Sequence, residues 1–422
     1  QSKSRLPWLR DQQGRSTRMD SVPMGGMGQI SKCTMSIKKE TFCLAPWYSI
    51  FLDSNGKISP CCKFKDLHYS YKQIEEYFHS PDLTKVRKDL LGGIKNTNCN
   101  RCWKDEEAGG DSLRLITNRT IALHSEINLQ EQISNPTTSN IKSFDLTLGN
   151  LCNLKCVMCN PSLSSQLLAE ANLNPTLQSR YGGSYDQKDF DWPKGDDFVE
   201  WCNRYLPQAR HIKFTGGEPF LIPWIHDAIE SIPDNQKAKC VLHFTTNLTV
   251  VSDKIFESFK KFKAVWISVS VEGTHSTHEY LRYGHSWDTL SKNLKSISEK
   301  NIDNLIFKIN HVVQTPSYHS ILEMTDFFDQ LKMKIHPIML KSPRHYHISA
   351  LTRESKQYFL DSTEEYTGLN LDFIKFVRSV SQEYIEQNTT LTKECIQDLT
   401  HLDLVRKNNH KDIIPEKNIK IN

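Results

Sequence analysis

The chain has 422 residues, 38% of them hydrophobic and 24% charged, with 53 Lys and Arg against 49 Asp and Glu for a net charge of +4. That near balance carries no strong nucleic-acid signal, and no apolar run approaches the roughly 20 residues of a membrane span. The length predicts one large domain with appendages, and the twelve cysteines, clustered without a signal-peptide core, predict metal ligation in a reducing, cytoplasmic compartment rather than disulfides.

Residues 1–34 are rich in Arg, Ser, Gly and Gln and show no hydrophobic period, so they read as a disordered tail or an extension ahead of Met35. A first cysteine set follows within residues 35–125. Cys43-Leu-Ala-Pro-Trp47 opens it, and the turn Asp53-Ser-Asn-Gly56 between two short β-like runs predicts a hairpin leading to Cys61-Cys62. Ser80-Pro81 is a helix cap with a first-turn proline, and Gly92-Gly93 ends that helix before Cys99-x-x-Cys102-Trp103. Cys43, Cys61, Cys99 and Cys102 can therefore meet as a closed set of four ligands, for zinc or for an iron–sulfur cluster, with Cys62 as the alternative to Cys61. Residues 126–142, with the run Ser134-Asn-Pro-Thr-Thr-Ser-Asn140, read as a linker.

From residue 143 to 340, β-like segments alternate with helical ones. Strands are expected at 143–149, 211–215, 240–246, 264–271, 305–314 and 335–340, with helices around 223–232, 252–261, 286–299 and 317–331. The alternation predicts an α/β fold with a partial six-stranded (β/α)6 barrel, whose active residues gather at the carboxyl ends of the strands. Residues 172–195 lack periodicity and read as an inserted loop, and residues 341–422 as a helical carboxyl-terminal extension.

The first strand leads into Cys152, Cys156 and Cys159, spaced C-x3-C-x2-C. A short loop of this kind brings three thiolates to one cluster and leaves a fourth iron open to an exogenous ligand; a zinc knuckle or merely buried thiols are the plainer alternatives. The second strand ends in Gly216-Gly217-Glu218-Pro219. There two glycines allow a tight turn and close approach to a ligand, Glu218 is an acceptor suited to an ammonium, and proline stiffens the exit. Taken alone, such a motif is an ordinary strand-to-helix turn. Ser268 and Ser270 alternate along a later strand, as small core residues also would, and Cys202, Cys240 and Cys395 have no partner spacing and read as buried small hydrophobes.

These motifs together carry a family resemblance. The loop Leu148–Pro161 resembles the cluster-binding loop of radical S-adenosylmethionine (radical SAM) enzymes, Phe214–Pro219 resembles their GGEP motif, and Ser268-Val-Ser-Val-Glu-Gly273 with His278-Glu279-x-x-Arg282 resembles their S-x-D-G…H-D-x-x-R segment. The resemblance implies a 4Fe-4S cluster on Cys152, Cys156 and Cys159. It places SAM against Gly216, Gly217, Glu218 and Pro219, with Ser268 or Ser270 on its ribose or carboxylate and Arg282 as a carboxylate partner. Asn247 and Gln314 would face the same opening, toward SAM or substrate. Glu272 stands where the family more often has Asp.

Residues 35–125 resemble the twitch domain, the shortened relative of the SPASM domain, through Gly56-x4-Cys61 and Cys99-x-x-Cys102-Trp-x-x-Glu106-x-x-Gly109-x-x-Ser112-x-Arg114. That implies an auxiliary 4Fe-4S cluster on Cys43, Cys61, Cys99 and Cys102. Leu402-Asp403-Leu-Val-Arg406 resembles the carboxyl-terminal pattern of the same group, a latch across the barrel, and His345 and His347 are loop histidines within possible reach of substrate. The implied activity is reductive cleavage of SAM to a 5′-deoxyadenosyl radical that abstracts a substrate hydrogen atom, on a peptide or protein side chain, with flavodoxin or ferredoxin as electron donor. A sugar, nucleotide or other small molecule is the alternative substrate, and a zinc-stabilised binding protein the alternative of another class.

Overall fold

The computed structural model describes residues 38–65, 68–107, 111–124, 128–300, 302–340 and 342–420. The expected amino-terminal tail, and Gly109 of the twitch pattern, lie outside the described residues. The chain divides into two compact units: the smaller holds residues up to 50 with 59–69 and 73–143, the larger residues 51–58, 70–72 and 144–422.

The sheet order is β2-β1-β3-β4-β5-β6-β7-β8, with the hairpin strands β1 (Ser49–Leu52) and β2 (Ile58–Ser59) ahead of β3 (Ser143–Thr147), β4 (His211–Thr215), β5 (Val241–Thr246), β6 (Ala264–Ser270), β7 (Leu305–Val313) and β8 (Ile335–Met339). Strands β4 to β8 pair in parallel, and β3 runs alongside β4 in step, Asp145 beside Lys213 and Thr147 beside Thr215. The two end strands do not meet, so the sheet is an open, partial barrel. The six expected strands are all present. The hairpin adds two more, because the indole of Trp192 donates to Ser54 O at 2.8 Å and packs tilted against Tyr71 at 4.7 Å. Gly56, at φ +72°, passes under that indole; a Cβ there would lie 2.8 Å from the ring.

Alternation along the strands gives the sheet two unlike faces. Phe214 and Phe244 stack at 5.2 Å on one, where Phe259 of helix Asp253–Phe259 meets Phe244 at 5.2 Å. Ile267, Val269 and Ile309, on the same parity of their strands, are fully buried. The connecting helices thus cover the apolar face, as right-handed crossovers require, and the polar face is the barrel interior. Residues 172–195 are more ordered than expected: helix Pro175–Arg180 and 3-10 turns Gln187–Phe190 and Trp192–Lys194 bury Leu177 and Phe190. The sequence misses them because each element spans fewer than two turns, too short for a period to register.

In the smaller unit, Ser80 Oγ accepts from Leu83 N at 3.2 Å and caps helix Pro81–Leu91 as its sequence predicts. The segment read as a linker is packed there: helix Leu129–Ser134 buries Gln132, which donates to Trp47 O at 2.9 Å and Thr137 O at 3.0 Å. No helix among the described residues is long and apolar enough to cross a membrane.

Candidate active site and auxiliary cysteine site

The cysteine loop leaves β3 through Gly149, at φ +78°, where a Cβ would stand 2.5 Å from Phe190 O. Hydrogen bonds then fasten it on both sides: Lys155 N to Tyr283 O at 2.9 Å, Val157 N to Leu281 O at 2.8 Å, and the Ser164 hydroxyl to Leu154 O at 2.6 Å. Cys152 and Cys156 are buried in one cluster with Leu154, and half-buried Cys159 packs against it. Burial first, and the charge of the neighbouring thiolates second, push Cys152 and Cys159 up to about 12. Three thiolates in such a pocket are tolerable only with a cationic centre to neutralise them, so the donor set fits a metal cluster.

The glycine-rich turn is stitched to this loop. Gly216 and Gly217 hold φ of +73° and +53°; side chains there would collide with Thr147 Cγ2 and Leu151 O respectively, and Glu218 N donates to Leu151 O at 2.8 Å. Pro219 is buried at the start of the turn Pro219–Leu221. The carboxylate of Glu218 is fully buried and accepts from Thr246 Oγ1 (2.6 Å), Asn247 N (2.6 Å) and Phe220 N (3.1 Å). Burial raises its pKa, and those three donors oppose the shift. Of about four acceptor positions on a carboxylate three are taken, which leaves room for one more donor, such as an ammonium.

Arg282 is no surface charge. Its Nη2 donates to Glu272 Oε1 at 2.9 Å and its Nη1 lies 3.8 Å from Cys156 Sγ, so its carboxylate partner within the chain is Glu272. Glu272, pushed up to about 7 by burial, also accepts from Val312 N at 3.1 Å and Gln314 Nε2 at 3.4 Å. Gln314 Oε1 and Arg282 Nε are buried without a partner among the described residues, polar atoms that a ligand carboxylate or ribose would satisfy. Asn247 is turned toward the cysteine loop, its Nδ2 donating to Asn153 Oδ1 at 3.1 Å. Ser268 and Ser270 lie on the interior face of β6; Ser268 Oγ pairs with His243 Nε2 at 2.8 Å. His278 is buried against His285 at 3.1 Å, which burial holds neutral.

The loop histidines expected near substrate are spent elsewhere. His345 stands 3.3 Å from Asp398, which binds Arg180 at 2.7 Å and the Tyr346 hydroxyl, and His347 caps Ser349 N and packs on Tyr384. Sequence reasoning missed this arrangement because its members are distant along the chain, Tyr346 and Asp398 by 52 residues and Arg180 and Asp398 by 218. The latch segment does reach across: Arg406 pairs with Glu170 at 2.8 Å, and Asp403 accepts from Tyr280 Oη at 2.9 Å.

In the smaller unit, Cys43, Cys61, Cys99 and Cys102 line one small cavity with Phe64, Trp103 and Arg114, while Cys62 is exposed. Burial, then neighbouring thiolates, push Cys99 up to about 12, and burial does the same to Cys43. Arg114, clamped by Glu106 at 2.5 Å and by Phe42 O at 2.7 Å, brings positive charge to the cavity wall. Among the described residues no three His, Cys, Asp or Glu side chains already converge on a single metal position. A four-iron cube takes one thiolate per iron, so its ligands need not share a point. Cys202, Cys240 and Cys395 are fully buried.

Comparison with protein families decides what this geometry belongs to. Residues 146–328 match the Radical SAM superfamily. The chain contains a radical SAM domain. Residues 43–103 match the SPASM iron–sulfur cluster-binding domain. The two matched domains imply 4Fe-4S clusters and SAM. No curated relative matches the sequence.

Solved structures with similar chains include native anSMEcpe with bound AdoMet and a Cp18Cys peptide (15% identity, 52% of this chain and 58% of that one, TM-score 0.32). Streptococcus suis SuiB is 16% identical, over 78% of this chain and 69% of that one, with TM-score 0.36. TYW1 with a lysine-pyruvate adduct is 12% identical over 58% and 80%, with TM-score 0.31. The chain thus spans less than two thirds of anSMEcpe.

Proposed function

We propose that this radical SAM enzyme cleaves SAM reductively on the Cys152–Cys156–Cys159 loop and modifies a peptide or protein side chain by hydrogen-atom abstraction. The observation that carries the SAM site is the fastening of the cysteine loop to the Gly216-Gly217-Glu218 turn, which puts a buried carboxylate with one open acceptor position beside the cluster of three cysteines. Bound there, SAM and a reduced cluster on Cys152, Cys156 and Cys159 would supply one-electron reductive cleavage of a C–S bond.

The chain's own residues hold and orient. Glu218 would take the SAM ammonium. Gln314 Oε1 and the Arg282–Glu272 pair would meet ribose and carboxylate, with Ser270 on the strand between, and the burial of these groups keeps water from the reacting atoms. The auxiliary set Cys43, Cys61, Cys99 and Cys102 would bind its own cluster. Its SPASM match supports the peptide reading, and the clustered thiols support a reducing, cytoplasmic setting with a flavodoxin or ferredoxin as donor.

Anaerobic reconstitution tests this. Two four-iron clusters and dithionite-dependent release of 5′-deoxyadenosine are expected, with both half the iron and all of the cleavage lost when Cys152, Cys156 and Cys159 become Ala. With a peptide carrying deuterium at its side-chain carbons, deuterium should appear in the 5′-deoxyadenosine. Stoichiometric zinc without iron uptake would refute the assignment.

A further inference from the structure

The polar face of the sheet carries more positive charge than the SAM chemistry uses. Interior positions hold Lys213 on β4, His243 on β5, Lys308 on β7 and His336 on β8, with Asp145 on β3 as the acid among them. Register sets Lys213 directly beside His243 on strands about 4.8 Å apart, while Lys308, beside Ser268, and His336, beside Asn310, stand one and two pairs further along the same face. Asp145 answers Lys213 at 3.4 Å, and Ser268 answers His243 at 2.8 Å.

Lys308 has no carboxylate and no hydrogen-bond partner among the described residues. Burial, and then the charge of Lys213, push its pKa down to about 8. Burial, and then the charges of Lys308 and Lys213, push His243 well below its ordinary value, and burial, then Lys308, lowers His336 to about 4. Two lysines against one aspartate leave a net positive interior, set in a half-buried wall where charge is costly without a partner. An arriving anion would restore the charge on Lys308 and offset that cost. This band lies on the interior face of the sheet, below the carboxyl-end loops that hold Glu218 and Glu272.

We propose that Lys308, with Lys213, His243 and His336, binds a carboxylate of the substrate, so that the enzyme acts on an acidic peptide. The inference rests on the peptide reading above. The carboxylate is either an Asp or Glu side chain or a free carboxyl terminus.

The test uses the reconstituted, SAM-bound enzyme and fluorescent heptapeptides, amidated at the carboxyl end and alike except for a central Asp, Asn or phosphoserine. Anisotropy should show the Asp peptide binding at least tenfold tighter than the Asn peptide. That preference should vanish in Lys308→Met, return in part in Lys308→Arg and weaken in His336→Gln, with iron content of each variant measured to confirm its fold. An Asn peptide with a free carboxyl terminus that matches the Asp peptide supports the proposal and identifies the terminus as the source. Equal binding of amidated Asp and Asn peptides, or an Asp preference intact in both Lys308→Met and His336→Gln, overturns it. So does a phosphoserine peptide that binds tenfold tighter than Asp and is displaced by 5′-AMP, which would make the site a phosphate site. Failure of every peptide to bind would instead overturn the peptide reading. The anion site is then read by NMR of 13C-methylated lysines titrated with sodium acetate. A Lys308 methyl shift that saturates upholds a carboxylate site for a non-peptide substrate, and no shift overturns it.

Discussion

Replacing Glu218 by Gln separates ligand binding from bracing at the glycine-rich turn. The carboxylate accepts three hydrogen bonds, from Thr246 Oγ1, Asn247 N and Phe220 N. A carboxamide can accept at only one of its two ends. Either Asn247 N at one oxygen, or the Thr246 and Phe220 donors at the other, must then face an NH2 group. An unmet buried donor costs about 1–3 kcal/mol, so the variant should lose about that much stability. A substrate ammonium would lose a charge-assisted hydrogen bond of about 1.5–3 kcal/mol, and SAM should therefore bind about ten- to hundredfold more weakly. Equilibrium dialysis of the anaerobic, cluster-loaded variant measures the second effect and denaturant titration the first. Thr246→Val supplies the control: it removes one donor and keeps the charge, so it should lower stability by about 1 kcal/mol and leave the SAM Kd within twofold. If Glu218→Gln binds SAM as tightly as the parent, the carboxylate only braces the turn and its ligand role is refuted.

Gly216→Ala should destabilise by about 2–5 kcal/mol, read from the denaturation midpoint. A left-handed φ costs an L residue roughly 1–2 kcal/mol, and the new methyl must displace Thr147. Changing Cys99 and Cys102 together to Ala should remove about half the iron and spare reductant-driven SAM cleavage, while turnover of the true substrate is lost; Cys62→Ala, at an exposed position, should retain full iron content. The ion pair of Asp398 with Arg180 holds that carboxylate well below its usual range, chiefly through His345, Arg180 and Tyr346 acting against burial. Its stabilisation is therefore complete above the unfolded carboxylate value near 4 and drains away as pH falls toward the folded value. Asp398→Asn should show a constant stability deficit from pH 8 to 5 that shrinks below about pH 4; a deficit independent of pH throughout would refute the ionic origin.

The chemistry-bearing parts of this protein are local, and so they are legible in the sequence. Three thiols within eight residues, a Gly-Gly-Glu-Pro turn and an alternation of β and helical segments each depend on neighbours along the chain, and the six expected strands stand where the pattern puts them. The cap of helix Pro81–Leu91 is legible for the same reason. Other features depend on partners distant in sequence, which no local pattern encodes. Arg282 meets Glu272 and Cys156 rather than solvent, Cys61 and not Cys62 faces the other three cysteines, and His345 joins Asp398 and Arg180. The hairpin joins the sheet because Trp192 lies over Gly56, and the apparent linker is fixed by one buried glutamine. The positive interior band needs both levels: each lysine and histidine is an ordinary strand residue, and only the parallel register makes them neighbours.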